Sequence, residues 1–386
     1  MRRSPGSQSA LGEANRHRVE AALHRSGEMS QADIARATGL APATVSNIVR
    51  HLRQVGVVEV TETLDGRRRI VRMAATEDTV VGLDFGHRHV SVALAETSGV
   101  VLTERRSELP ADPSADEALG VADRLIDELL AATDRPRSSV RTIGMGLPAP
   151  VSMVSGQVGA FSILPGWADL DAAGFASEKL GAGVHVDNDA TLGAWAEHRW
   201  GTGQGAQNLA FIKLSEGVGG GLILDGRPFR GRDGTAGELG HTTIDDHGAV
   251  CRCGNRGCLE TVAAARTVVE LLAPHMGQEI SIADVVAAAS RGDHSCLRVL
   301  SDTGDHAGRA LANLCNLFNP ELIIIGGELA QAGELFLEPI RESVQRHAIP
   351  SATADLTISV SALGARASLL GAIALALEHL PVKHTG

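Results

Sequence analysis

Apolar residues recur at helical spacing near the front of the chain. Between Asn15 and Arg25 they fall at Val19, Ala22 and Leu23, one face of an amphipathic helix. In SQADIARATGLAPATVSNIVRHLRQVG, Ser30 suits the cap of a short helix holding Ile34 and Ala35. Gly39 permits the left-handed turn that ends it, and Pro42 suits the first turn of the next. That next helix is expected to bury Val45, Ile48, Val49 and Leu52. It leaves Ala43, Thr44, Ser46, Asn47, Arg50 and His51 outside. The period then switches to that of strands. VVEVTET and RRRIVRM flank Asp65-Gly66, a two-residue hairpin signal, and Arg67, Arg68 and Arg69 follow the turn. Paired helices and a hairpin with a cationic tip predict a winged helix-turn-helix over residues 1–74. The small, polar outer face of its second helix fits a major groove, and the three arginines can reach phosphates or a narrow minor groove.

Residues 74–78 lack apolar periodicity and read as a short linker. From residue 79 onward, strand and helix patterns alternate. TVVGLDFG, HVSVALAETSG and VVLTERR come first, then a helical stretch and the strand VRTIGMGLPAP. NLAFIKLSEGVGGG, LILDGRPFRG, a helical region and ELIIIGGEL repeat that order loosely. Each half opens with a strand, a glycine-containing loop and a returning strand, which predicts two α/β lobes around a cleft over residues 79–386. Such clefts are favoured places for small molecules. ARASLLGAIALALEHL is expected to close the chain as an apolar helix packed on this body.

Charge adds a partner to the picture. Residues 1–74 carry twelve arginines, no lysine and seven acids, a balance of +5. The whole chain of 386 residues carries −11, so the remainder holds −16. A basic front on an acidic body points to double-stranded DNA as the partner of the front alone. Helix-turn-helix proteins usually act as symmetric oligomers, so a homodimer or homotetramer on a near-palindromic operator is expected. No run of eighteen apolar residues occurs, and Arg2 and Arg3 precede no apolar stretch, so neither a membrane span nor a secretory signal is legible. A cytoplasmic location is expected, where the five cysteines stay reduced.

Three of those cysteines fall in GHTTIDDHGAVCRCGNRGCLE. His241 followed by Cys251, Cys253 and Cys258 reads as a four-ligand set for structural zinc, with Gly254 and Gly257 letting the sulfurs converge. Three free thiols and a surface histidine are the competing reading. Arg252 and Arg256 could offset thiolate charge. Cys296 and Cys315 read as ordinary buried thiols. A metal clamp there would also hold Glu238 and Glu260 rigid, as fixed acceptors suited to a sugar's hydroxyls, although each alone reads as a solvated acid. In HVDNDATLGAWAEHRWG a strand is expected to end at Val186 and a helix to begin near Ala190. Asp189 is then either a helix cap or a carboxylate placed to accept a proton from a substrate hydroxyl.

Taken together, these residues resemble the ROK family of sugar-responsive bacterial repressors and sugar kinases. The resemblance rests on Glu238–His241 with Cys251–Glu260, on LPGW at Leu164–Trp167, on Asn188–Ala190 and on Asn319–Gly327. It implies a body with the actin and hexokinase-like, ribonuclease H-like fold. It implies zinc on His241, Cys251, Cys253 and Cys258, and a sugar pocket lined by Asn188, Asp189, Glu238, His241 and Glu260. In the family's kinases the aspartate matching Asp189 is the catalytic base. The asparagine usual before LPGW is Ile163 here. His87 and Arg88 replace the small residues of the first phosphate loop, and Glu216 precedes Gly217 in the second, where a carboxylate would face a polyanion.

The favoured expectation is a transcriptional regulator, a repressor that binds operator DNA and senses a sugar or sugar derivative. The competing one is an ATP- and Mg2+-dependent sugar kinase with Asp189 as base. A third has a phosphorylated sugar or a protein partner as effector.

Overall fold

The computed structural model describes residues 15–16, 18–20, 22–23, 27–54, 57–62, 69–74, 77–110, 112–152, 155–159, 164–277 and 279–380. Asp65, Gly66, Arg67, Arg68 and Ile163, and residues 75 and 76 of the expected linker, lie outside these. By the clustering of its contacts the chain divides into two compact units. One is Met1–Thr79 with Ala95–Leu102, and the other is Val80–Leu94 with Thr103–Gly386.

In the first unit the described residues between 15 and 23 are helical and bury Val19, Ala22 and Leu23. Helix α1 (Gln31–Thr38) begins at Ser30, whose hydroxyl accepts the Asp33 N–H at 3.2 Å, and ends at Gly39 with φ 66°. Helix α2 (Pro42–Gln54) buries Val45, Val49 and Leu52 against Ile34, Val58 and Val71. Ile48, expected in that stripe, is only half-buried at its edge. Three strands complete the unit: β1 (Met29–Ser30), β2 (Val58–Glu62) and β3 (Arg69–Met73), in the order β1-β3-β2. The β2–β3 hairpin is antiparallel, from Val58 opposite Met73 to Glu62 opposite Arg69. Strand β1 was not legible in the sequence, because two residues are too few to show a period.

Two five-stranded sheets follow, and apart from Thr79, Ala95, Glu96, Val101 and Leu102 their residues belong to the second unit. The first comprises β4 (Thr79–Phe85), β5 (His89–Glu96), β6 (Val101–Glu108), β7 (Val140–Leu147) and β8 (Val184–Asn188). The second comprises β9 (Leu209–Leu214), β10 (Val218–Leu224), β11 (Arg227–Pro228), β12 (Leu322–Gly326) and β13 (Thr357–Val360). Their spatial orders are β6-β5-β4-β7-β8 and β11-β10-β9-β12-β13, so each sheet runs third, second, first, fourth, fifth in its own strand count. This is the internal echo expected from the sequence. Strands β4 and β12 are buried along their whole lengths, as strands covered on both faces must be.

Helix α3 (Ala115–Ala132) starts at a capping box of Ser114 and Glu117, and α4 (Ala172–Leu180) starts at Asp171. Helices α5 (Asp189–Trp200), α6 (Glu260–Ala263), α7 (Ala265–Met276), α8 (Ile282–Ser290), α9 (His294–Phe318), α10 (Glu334–His347) and α11 (Ala367–Glu378) follow. Helix α11 is the apolar closing helix, with ten buried residues from Ala367 to Ala376. It packs on α5 and on β7, while α5 packs on β9 and β10, so this helix pair links the two sheets. Bare backbones make the approach possible. A Cβ on Gly144 of β7 would sit 1.9 Å from the Ala372 carbonyl oxygen, and one on Gly221 of β10 would sit 2.2 Å from that of Ala190.

Candidate functional site

The corresponding β4–β5 and β9–β10 loops of the two sheets face a cavity of about 610 Å³. From the first loop His87 and Arg88 line it, and from the second Glu216 and Gly217. Asn188, Asp189, Glu238, His241 and Glu260 line the same cavity, so the residues expected at a sugar pocket and those expected at phosphate loops share one space.

Asn188 and Asp189 differ from the expectation in detail. Strand β8 runs on to Asn188 and helix α5 begins at Asp189. Asn188, not Asp189, is the cap. Its Oδ1 accepts the N–H groups of Ala190 and Thr191 at 2.9 and 3.1 Å, and its Nδ2 donates to the Ala149 carbonyl at 3.2 Å. The Asp189 carboxylate is thereby left for another partner, which is Lys213. The Lys213 ammonium donates to Asp189 Oδ2 at 2.7 Å and to Ser368 Oγ at 3.1 Å. Sequence reasoning missed Lys213. The available signal was a lone cation in the otherwise apolar strand LAFIKL, a residue type that is rarely buried unless paired.

Glu260 is 1% exposed at the start of α6. Arg252 donates to it from two nitrogens, Nε to Oε1 at 2.7 Å and a second to Oε2 at 2.9 Å, and the Val218 N–H donates to Oε2 at 3.2 Å. Burial opposes its charge, but Arg252 and the Val218 N–H outweigh burial and hold its pKa below the usual carboxylate range. Arg252 was expected near the thiolates; it pairs with Glu260 instead, while Arg256 donates to the Gly248 carbonyl at 2.8 Å. Glu238 has no such cation bound. Burial, with the charges of Asp189 and Glu260, raises it to about 7.

The His241, Cys251, Cys253 and Cys258 donor atoms all lie within 4.8 Å of one another. Cys253 Sγ is 3.7 Å from Cys258 Sγ, and Cys251 Sγ is 3.6 Å from His241 Nδ1. A tetrahedral zinc with ordinary bond lengths requires edges of roughly 3.7 Å between sulfurs and about 3.6 Å between sulfur and nitrogen. The donor set and its spacing therefore fit such a cation. Burial and the neighbouring thiols push Cys258 up to about 12, so a bound cation is what would make it a thiolate. With Nδ1 turned to the sulfurs, His241 turns Nε2 toward Glu238 Oε2, 3.8 Å away. Cys296 and Cys315 are buried apart from this cluster, as expected.

On the first unit Ala43, Asn47, Arg50 and His51 of α2 are exposed, and Thr44 and Ser46 are half-buried beside them. Arg69, the described member of the arginine run, is exposed at the start of β3. Beside it Arg72 donates to Glu59 at 2.9 and 3.1 Å across the hairpin.

Comparison with known proteins matches residues 80–379 to the ROK family and residues 15–69 to the MarR family. A xylose repressor of Caldicellulosiruptor bescii is 30% identical over 369 residues, covering 91% of this chain and 92% of that protein. A glucokinase of Halalkalibacterium halodurans is 34% identical over 309 residues, covering 75% of this chain and 92% of its own. Among solved structures, a ROK family transcriptional regulator described as a homologue of the Escherichia coli MLC protein superposes with a TM-score of 0.77 at 30% identity. The match covers 95% of this chain and 96% of that one. The repressor and regulator thus align through the winged helix as well as the body, whereas the kinase match leaves a quarter of this chain uncovered.

Proposed function

The chain belongs to the ROK family, and from that premise we propose that it is a sugar-responsive transcriptional repressor. It binds operator DNA through the winged helix, as a homodimer or homotetramer in the cytoplasm, and senses a sugar in the cavity of its body. One observation carries this reading: the same chain has a polar helix face, with Asn47 and Arg50 exposed, and a cavity lined by Glu216 and Glu328. Six carboxylates line that cavity against four arginine and lysine side chains, an environment unfavourable to a polyanion such as ATP.

The sugar-binding roles follow from hydrogen-bonding capacity. Glu260 is fixed by Arg252 and Val218, Asp189 by Lys213, and both keep lone pairs for hydroxyl donors. Glu238, with its pKa near 7, can both donate and accept. His241, Cys251, Cys253 and Cys258 would hold zinc, which when bound supplies a rigid cross-link within the 241–258 segment. That segment connects Glu238 to Glu260, so the cross-link sets the spacing of two acceptors.

Sensing is linkage. If the sugar favours one arrangement of the body and operator DNA another, each weakens the other by the same factor. A shift of about a hundredfold in operator affinity requires about 2.7 kcal/mol of differential binding, within reach of a few fixed hydrogen bonds. The test is fluorescence anisotropy on a near-palindromic duplex with a panel of sugars. The expected result is that one sugar changes the midpoint by tens to about a hundredfold; DNA binding indifferent to every sugar that binds the protein would overturn the reading.

The kinase reading is favoured by one observation, the position of Asp189 at the start of α5 inside the cavity. It is tested by ATP turnover on the same panel. Turnover abolished by Asp189→Asn would establish it against the repressor-only function.

A further inference from the structure

Strands β8 and β11 are both edge strands, β8 of the first sheet and β11 of the second. The chain leaves β8 at Asn188 and Asp189, and it leaves β11 on the way to Glu238, so each edge supplies one wall of the cavity. One ion pair spans the two edges. Arg230, two residues past β11, donates from Nε to Asp187 Oδ2 of β8 at 2.7 Å, across 43 positions of the chain. Neither side chain is among those lining the cavity.

Each partner is also fastened to its own wall. The other oxygen of Asp187, Oδ1, accepts the N–H of Asn188 at 2.8 Å, and Asn188 in turn caps α5. The Arg230 carbonyl accepts the Ala236 N–H at 3.2 Å, which closes residues 230–236 into a loop just ahead of Glu238. Close backbone packing then holds Glu238 from both sides. A Cβ on Gly237 would sit 2.1 Å from the Gly220 carbonyl oxygen, and one on Gly240 would sit 2.2 Å from that of Val218. Asp187 is 3% exposed, and burial pushes its carboxyl up against the pull of Arg230. Removing the cation would leave a buried carboxylate alone, which is strongly unfavourable. We propose that Asp187 and Arg230 are positioning residues that couple the two walls of the cavity, so that Asn188–Asp189 and Glu238 are held at one spacing. A polyol that spans Asp189 and Glu238 then meets acceptors whose separation is already set, which lowers the ordering cost of binding. The polyol rests on the repressor reading; the coupling of the walls does not.

The test is amide hydrogen exchange, read by mass spectrometry on the zinc-loaded full chain without DNA or sugar. Its reporters are the peptides holding the Asn188 and Ala236 N–H groups, with buried strand β12 as the control. Arg230→Gln is expected to speed exchange around Asn188, and Asp187→Asn around Ala236, each at least about fivefold with β12 unchanged. Asp187→Asn keeps an oxygen for the Asn188 N–H while removing the charge. The double variant should be no faster than the faster single one, because either change breaks the same link. Arg230→Lys, which keeps a cation, should bring both peptides back to within about twofold of the unaltered chain. A merely local role predicts that each substitution loosens only its own segment, and that result would overturn the proposal. So would additive loosening in the double variant, or Arg230→Lys as loose as Arg230→Gln. Where Asp187→Asn does not fold, Arg230→Gln still reports at Asn188. Failure here leaves the repressor reading standing, since neither reporter involves DNA or sugar.

Discussion

Asn188 accepts two helix N–H groups and donates to the Ala149 carbonyl, so most of its side chain is committed to structure before any ligand arrives. Asn188→Ala is expected to lower stability by about 1–2 kcal/mol, the range of a lost helix cap, measured by urea denaturation without ligand. An unchanged midpoint would mean that the cap is dispensable. Asp84 makes the opposite case. Its carboxyl is raised by burial to about 6 from an ordinary value of 3.8, so the folded state holds the proton more tightly than the unfolded state. The stability this contributes is present in full below the unfolded value and is lost as pH rises through the folded one. Asp84→Asn, which cannot ionise, should therefore gain on the unaltered protein between about pH 4 and 6 by on the order of 3 kcal/mol, then hold level. Denaturation midpoints of the two proteins across that window check it; a gap that stays constant with pH would refute it.

The stretch from Glu238 to Glu260 has little regular structure, and its four clustered donor atoms are the proposed cross-link. Among its described residues it carries one three-residue turn at Leu239–His241 and isolated bridges, Thr243 with Cys258 and Val250 with Arg256. Removing the metal with a chelator, or substituting Cys258→Ser, should lower the melting midpoint by about 5–10 °C, corresponding to about 3 kcal/mol. Sugar affinity should fall along with it, and metal analysis should find about one zinc per chain before chelation. A metal-free preparation with unchanged melting and sugar binding would remove the cross-link. Helix α2 is regular, and the face left uncovered is the one proposed to meet DNA. Asn47→Ala and Arg50→Ala should each weaken operator binding by about 1–3 kcal/mol if they meet base edges. Neutralising Arg67, Arg68 and Arg69 should instead weaken all DNA and flatten the slope of log affinity against log salt by about 2–3. Equal slopes before and after would exclude the wing from phosphate contact.

The cavity joins both sheets of the body, and its charge is a property of the whole fold. Glu216 and Glu328 come from opposite ends of the β9–β12 segment, and Glu328 is raised above its ordinary value by burial and by the Glu216 charge. A hexose phosphate is therefore expected to bind at least about tenfold more weakly than its parent sugar, read by calorimetry. The reverse preference would favour a phosphorylated effector. The sequence alone determined the winged helix, the repeated order of the body and the clustering of His241 with three cysteines, because each depends on local spacing: a 3.6-residue period, a returning strand, or sulfurs separated by one and four residues. Tertiary structure alone decided who pairs with whom. Lys213 reaches Asp189 across 24 positions and Ser368 across 155, while Asp187 meets Arg230 across 43. No periodicity spans such distances. These partners are chosen by how two five-stranded sheets stack about one helix pair, and it is that stacking which takes the charges out of water and makes each of them need the other.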